Sequence, residues 1–123
     1  GILIKALDYQ HVQPTWYNQV LANDILSPSI QGAASIGVWG NAKDRFSGPV
    51  NFMTIVRGNR LLGNSDIELR GQYPYSNLVS DPLVEHNEIR EAQRGILVTF
   101  GVARAVIRAN RFVNVGQSLN KGP

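Results

Sequence analysis

The sequence predicts an all-β chain wound as a right-handed parallel β-solenoid of about four coils. Three observations predict it. One phrase occurs four times: an apolar residue, two further residues, Asn, one residue, then a large apolar residue. Its copies are Val20-Asn23-Ile25, Val56-Asn59-Leu61, Val84-Asn87-Ile89 and Ile107-Asn110-Phe112. A second phrase, a short run with alternating apolar residues, falls between them: Ile2-Leu3-Ile4, Ile36-Gly37-Val38, Ile67-Glu68-Leu69 and Ile96-Leu97-Val98. Gly or Pro interrupts every window long enough for a helix, and helical spacing fits poorly.

The repeat asparagines are 36, 28 and 23 residues apart. A tight coil with two longer versions fits a parallel solenoid whose loops vary in length. Each turn is expected to hold three short strands. Strand one is the Ile-x-Val phrase, strand two ends three residues before Asn, and strand three carries the large apolar residue. Crossover chirality favours a right-handed path. In strand one, Ile2 and Ile4, Ile36 and Val38, Ile67 and Leu69, and Ile96 and Val98 point inward. The asparagines sit where the chain bends. There a side-chain amide bonds backbone groups, and stacked copies bond one another as a ladder: Asn23, Asn59, Asn87 and Asn110.

Charge supports the same register. Two positions before each Asn stand Leu21, Arg57, Glu85 and Arg108, and one after it Asp24, Arg60, Glu88 and Arg111. Both columns alternate in sign wherever they are charged. In-register residues of neighbouring coils lie about 4.8 Å apart, so opposite charges there attract. The plainest reading of these columns is a solvated structural face.

Composition narrows the function. At 123 residues the chain reads as a single domain spanning 1–123, and 43% hydrophobic residues suffice for a core. The net charge of +3 is a small excess with no basic run, so no nucleic-acid surface is indicated. The absence of cysteine removes disulfides, thiolate catalysis and Cys-based metal sites. No apolar run is long enough to span a membrane. The chain opens at Gly1 rather than Met and shows no signal peptide, which reads as a processed or cut start.

The segments after strand one are expected to be loops. They run Ala6 to Asn18, Gly40 to Phe52, Gly71 to Asp81 and Phe100 to Arg104, and they hold Tyr9, His11, Trp16, Tyr17, Phe46, Tyr73 and Tyr75. Variable loops on a regular scaffold often carry binding, and aromatics there suit stacking on sugar rings; equally, they close over the core edge. The tail Gly116 to Pro123 reads as a polar turn. With no capping helix at either end, the chain reads as coils of a longer solenoid. The remaining coils of a parent chain or a homo-oligomer are then expected to cover the ends.

With VLANDI, VRGNRL, VEHNEI and IRANRF, and SIGVW, DIELR and GILVT between them, the chain resembles the right-handed parallel β-helix of pectate-lyase-like proteins. The phrase style is nearest the alginate-lyase and chondroitinase group or β-helix repeat proteins. The resemblance implies a secreted or periplasmic polysaccharide-active protein, a lyase or a glycoside hydrolase. Non-catalytic carbohydrate-binding solenoids, such as tailspike-like or adhesion-like modules, belong to the same superfamily. It also implies a cleft along the outer face of strand one, flanked by the loops.

On that face the candidate catalytic residues are Asp66, Glu68, Arg70 and Arg94, and the candidate substrate-binding residues are Trp39, Lys5, Tyr73 and Tyr75. Carboxylates two apart on a strand have Cα atoms roughly 6.6 Å apart. That spacing suits acid–base work on a glycosidic bond, and equally a Ca²⁺ site built from oxygen ligands. Arginine or lysine would pair with a uronate carboxylate. The plain alternative for Asp66-x-Glu68-x-Arg70 is solvated surface. His86, in a column with Ala22, Gly58 and Ala109, reads as a surface corner residue; His11 lies in a loop.

Overall fold

The computed structural model describes residues 2–8, 15–26, 36–42 and 50–121. Its strands, in chain order, are β1 (Ile2–Asp8), β2 (Thr15–Trp16), β3 (Gln19–Leu21), β4 (Asp24–Leu26) and β5 (Ile36–Ala42). They continue with β6 (Asn51–Phe52), β7 (Ile55–Arg57), β8 (Arg60–Leu62), β9 (Ile67–Arg70) and β10 (Val79–Ser80). The last are β11 (Leu83–Glu85), β12 (Glu88–Val98), β13 (Val102–Ala103), β14 (Val106–Arg108) and β15 (Arg111–Lys121). Among the described residues there is no helix, so none is long and apolar enough to cross a membrane.

All pairings are parallel. One sheet has seven strands, in the order β1-β5-β9-β12-β8-β4 with β15 also on β12. Two sheets have four strands each, β13-β10-β6-β2 and β14-β11-β7-β3. The pairing register follows the repeat phrases. Val84 lies between Val56 and Ile107, and Ile89 between Leu61 and Phe112. Ile67 lies between Ile36 and Ile96.

The expected solenoid is corrected by this topology. Strand three and strand one were read as separate faces of a coil. Instead β12 runs unbroken from Glu88 to Val98. Its first residues pair with β8 and its last with β9, and Glu91, at φ 55°, lies between the two stretches. The two strand sets fuse into one large sheet that curls like half a barrel, and the molecule is a set of parallel sheets rather than a stack of solenoid coils. The number of strand positions per repeat is also corrected. Two-residue strands β2, β6, β10 and β13 form a sheet within segments read as loops. The tail read as a polar turn is part of β15 up to Lys121.

Left-handed residues set the corners. Ala22, Gly58, His86 and Ala109 precede the four asparagines, with φ between 54° and 70°. Tyr17, Met53, Asp81 and Arg104, six residues before each asparagine, do the same. Non-glycine side chains rarely adopt this conformation, so the packing on either side must hold it.

The core lies between the sheets. Val20, Val56, Val84, Leu61, Ile89, Ile36, Val38, Ile67, Leu69 and Ile96 are buried in one cluster. Ile25, Ile107, Phe112 and Val115 pack against it while partly exposed. Burying a side chain of this kind contributes about 1.5–3 kcal/mol, so this cluster is the main source of stability.

Candidate functional site

Two polar systems stand out, one repeated and one unique. The repeated one is the asparagine column. The backbone N–H and Nδ2 of Asn23 both donate to Oδ1 of Asn59, at 2.9 and 3.0 Å. Asn59 donates in the same way to Asn87, at 3.0 and 2.9 Å, and Asn87 to Asn110, at 3.0 Å for both. The Nδ2 groups also reach the carbonyls of Val20, Val56 and Val84. Each asparagine thus satisfies its own corner and the next.

Beside the column run the charged rows. Arg60 meets Asp24 at 3.0 Å, and Arg108 meets Glu85 at 3.1 Å. Glu88 lies between Arg90 at 3.2 Å and Arg111 at 3.7 Å. Hydrogen bonding from Arg108 holds the Glu85 carboxyl below its usual range, and that from Arg90 does so for Glu88.

The unique system lies on the outer face of β9 and its neighbours. Ile67 and Leu69 join the core, so strand alternation turns Glu68 and Arg70 to the other face. Sequence reading left Asp66 and Glu68 on an exposed face. The structure corrects this: the Glu68 side chain is wholly buried and that of Asp66 is 7% exposed. What screens them is basic. Arg94, within β12, donates from Nε to Asp66 Oδ2 at 2.8 Å, and its Nη2 lies 3.5 Å from Glu68 Oε2. Arg70 donates from Nε to Glu68 Oε1. The Arg70 guanidinium also lies 5.4 Å from the centre of the Trp39 ring. Both arginines remain partly exposed, Arg94 at 32% and Arg70 at 42%.

This arrangement perturbs Asp66. Burial, then the negative charge of Glu68, pushes its carboxyl up to about 6, against a partial opposing pull from Arg94. Asp66 Oδ1 and Glu68 Oε2 receive no hydrogen bond from a side chain outside the pair or from the backbone; Glu68 Oε2 has the Arg94 guanidinium at 3.5 Å, and the two carboxyls hydrogen-bond each other through the proton on Asp66. Buried carboxylate oxygens left in that state are costly, and they cluster where a ligand or a proton is handled. Chemically, the set offers a proton held near neutral pH and two guanidinium groups facing outward above it.

The structure therefore brings together Asp66, Glu68, Arg70, Arg94 and Trp39. Lys5 lies on β1 with its backbone in register with Trp39, and its side chain is outside the described part. Tyr73 and Tyr75 lie past the end of β9. The Tyr73 ring is 77% exposed and packs 5.3 Å from Phe100. That loop is pressed onto its neighbour. A Cβ on Gly71 would come within 2.4 Å of the Gly101 backbone, and Gly101 itself has φ 92°. Tyr9, His11 and Phe46 lie outside the described residues. His86 is a corner residue, its side chain 64% exposed.

Ca²⁺ fits this donor set poorly. It favours six to eight oxygen ligands, whereas here two carboxylates are already engaged by two cations. Among the described residues no three His, Asp or Glu side chains gather as a metal site.

Two features lay beyond sequence reading. Trp16, Tyr17 and Phe52 form an edge-to-face aromatic cluster, with ring centres 5.9 to 6.5 Å apart. A cleft of about 390 Å³ opens over Asp24, Arg60, Glu88 and Arg90, with Leu26 and Leu62 in its wall. The in-register column Leu26, Leu62, Arg90 changes from leucine to arginine at its third position, so no common residue type marks it throughout. No family model, curated protein or solved structure matches the chain.

Proposed function

We propose that the chain handles an acidic polysaccharide on the outer face of β5, β9 and β12, as a uronic-acid lyase or a glycoside hydrolase does. The observation that carries this reading is the buried Asp66–Glu68 pair under two half-exposed arginines. A guanidinium recognises a carboxylate with two parallel hydrogen bonds. A uronate carboxylate arriving at Arg70 and Arg94 competes with Glu68 and Asp66 for the same donors. Drawing the arginines outward uncovers the carboxyl pair at the moment the sugar is held. Trp39 then offers an aromatic face, and the exposed Tyr73 extends the surface.

Asp66 is suited to give a proton to a leaving glycosidic oxygen, because its carboxyl stays protonated closer to neutral pH than an ordinary aspartate. In an elimination, the arginines instead offset charge on the uronate while the Glu68 carboxylate takes the neighbouring proton, the released electron pair forms the double bond as the glycosidic C–O bond breaks, and Asp66 gives its proton to the departing oxygen. The similarity of the Asn phrases to pectate-lyase-like proteins favours sugar as the ligand, and a secreted or periplasmic setting goes with it.

One observation favours a second reading, a non-catalytic carbohydrate-binding module. Glu68 is fully buried, so a sugar reaches the arginines before any carboxylate. A panel of uronic-acid polymers separates the two. Under the first reading new unsaturated or reducing ends appear, and Asp66→Asn abolishes them while oligouronate binding persists. Saturable binding without product, weakened by Arg94→Gln, establishes the module instead. Absence of any binding to uronic-acid polymers removes both.

A further inference from the structure

We propose that Glu68 is a built-in competitor for the anion seat formed by Arg70 and Arg94, and that an acidic ligand enters this seat together with a proton. This rests on the reading of that face as a site for an acidic sugar, and adds how its occupancy is controlled.

The seat is already filled from within. Arg70 donates from Nε to Glu68 Oε1, and Arg94 Nη2 lies 3.5 Å from Glu68 Oε2. Two guanidinium groups thus converge on the two oxygens of one carboxylate, as they would on the carboxylate of a ligand. Strand pairing fixes Glu68 beneath them. Its register neighbours are Gly37 and Leu97, and its side chain is wholly buried. Both arginines are partly exposed, so a ligand carboxylate reaches them from solvent. It draws the guanidinium groups off Glu68, while Glu68 stays where the sheet holds it.

That exchange acts on the carboxyl pair. The charged groups facing Glu68 among the described residues are Asp66 and Arg70 on β9 and Arg94 on β12; Gly37 and Leu97 carry no charge. With the guanidinium groups turned to the ligand, two buried carboxyls remain with less positive charge beside them. Two carboxylates at one buried site cannot both stay ionised. Asp66, whose carboxyl already sits at about 6, then takes up a proton and hydrogen-bonds Glu68. Proton and ligand therefore favour each other. Affinity rises as pH falls from neutral toward about 6, and levels off once Asp66 is protonated in the free chain as well. The occupied site holds one carboxyl with its proton and one carboxylate freed of its arginines.

Calorimetric titration of the whole chain with short oligomers of galacturonate, mannuronate and guluronate tests this, in buffers of different ionisation enthalpy. The expected result is proton uptake on binding at neutral pH that fades in acid. Glu68→Gln keeps the shape of the side chain and removes the competing charge. It should bind about tenfold tighter, with less proton uptake, and circular dichroism establishes that it folds. The proton uptake of the parent chain decides the matter without any substitution. Binding without proton uptake overturns the proposal and leaves the sugar reading standing. So does a folded Glu68→Gln chain that binds no tighter than the parent. If neither chain binds any of the three oligomers, the sugar reading falls and the proposal falls with it.

Discussion

The asparagine corner and the Asp66–Glu68 cluster are both buried polar systems, and they differ in completeness. The corner repeats four times, and each inner asparagine has its amide donors and its carbonyl oxygen paired. The cluster occurs once, and two of its buried oxygens have no hydrogen-bond donor beyond the proton the two carboxyls share. Satisfied networks rigidify a core, and incomplete ones cost stability. The repeated system therefore reads as scaffold. The incomplete one is where the molecule tolerates a cost, which is the pattern expected of a site that handles protons or ligands.

The comparison breaks most visibly at Asn87. Asn87→Ala removes the acceptor for two Asn59 donors and the donors that reach Asn110 and Val56. With several buried groups unpaired, the expected loss is on the order of 3 kcal/mol. His86→Ala, one residue away, should move the midpoint little, because the side chain is largely exposed and both residues face the same strained φ. Denaturant midpoints of the two variants check this, and equal midpoints would sink the ladder as a source of stability.

The cluster gives the next largest effect. Arg94→Ala leaves Asp66 and Glu68 buried side by side with one guanidinium fewer. The expected loss at neutral pH is about 1–3 kcal/mol. Adding Asp66→Asn should recover part of it, since the second change removes the carboxyl that lost its guanidinium while Glu68 keeps Arg70. A double-mutant cycle on urea midpoints measures the recovery. Strict additivity would mean that Arg94 and Asp66 do not act on one another.

The pH dependence has opposite signs in two places. Burial and Glu68 raise Asp66 from 3.8 to about 6, so the folded chain binds that proton more readily than the unfolded chain. Its contribution to stability is therefore greatest in acid and falls as pH rises from 3.8 to about 6. Asp81 is the reverse. Hydrogen bonds from Arg104 and Ser80 hold it below its ordinary value, so its contribution is present at neutral pH and lost on acidification. Asp66→Asn should remove the first slope, and Asp81→Asn should flatten the acid limb. Midpoints measured across the acid range separate the two, and a pH profile unchanged by Asp66→Asn would contradict the raised proton affinity.

The scaffold was more legible in the sequence than the site. Period-two alternation and the Asn phrase placed the residues of β4, β8, β12 and β15 in the right columns, because both signals come from the core. The corner residues carried no such signal. Tyr17, Met53, Asp81 and Arg104 share a φ and no chemistry. Strands of two residues, such as β6 and β10, are too short to show alternation. What those strands do share is a fixed spacing to the following asparagine, a cue that lay in loop length rather than residue type. The fusion at β12 was invisible for a similar reason, since whether a bend ends a strand depends on backbone geometry. Burial of Glu68 was missed because alternation assigns a side to a residue and not what lies over it. Arg94, drawn in from the neighbouring strand, decides that.

The smallest expected effect marks the boundary of the comparison. Asp24 and Arg60 make a salt bridge at 3.0 Å, geometrically as good as those in the cluster. Their side chains are 76% and 70% exposed. Water already solvates both charges, and fixing two long side chains in one geometry offsets the attraction. Asp24→Asn should therefore leave the denaturant midpoint within error of the parent, at low salt and at high salt alike. Arg94→Ala, made on a bridge of similar length over buried carboxylates, should not. If the two substitutions cost the same, burial is not what distinguishes the cluster from the surface columns, and the case for a special site on this face falls with it.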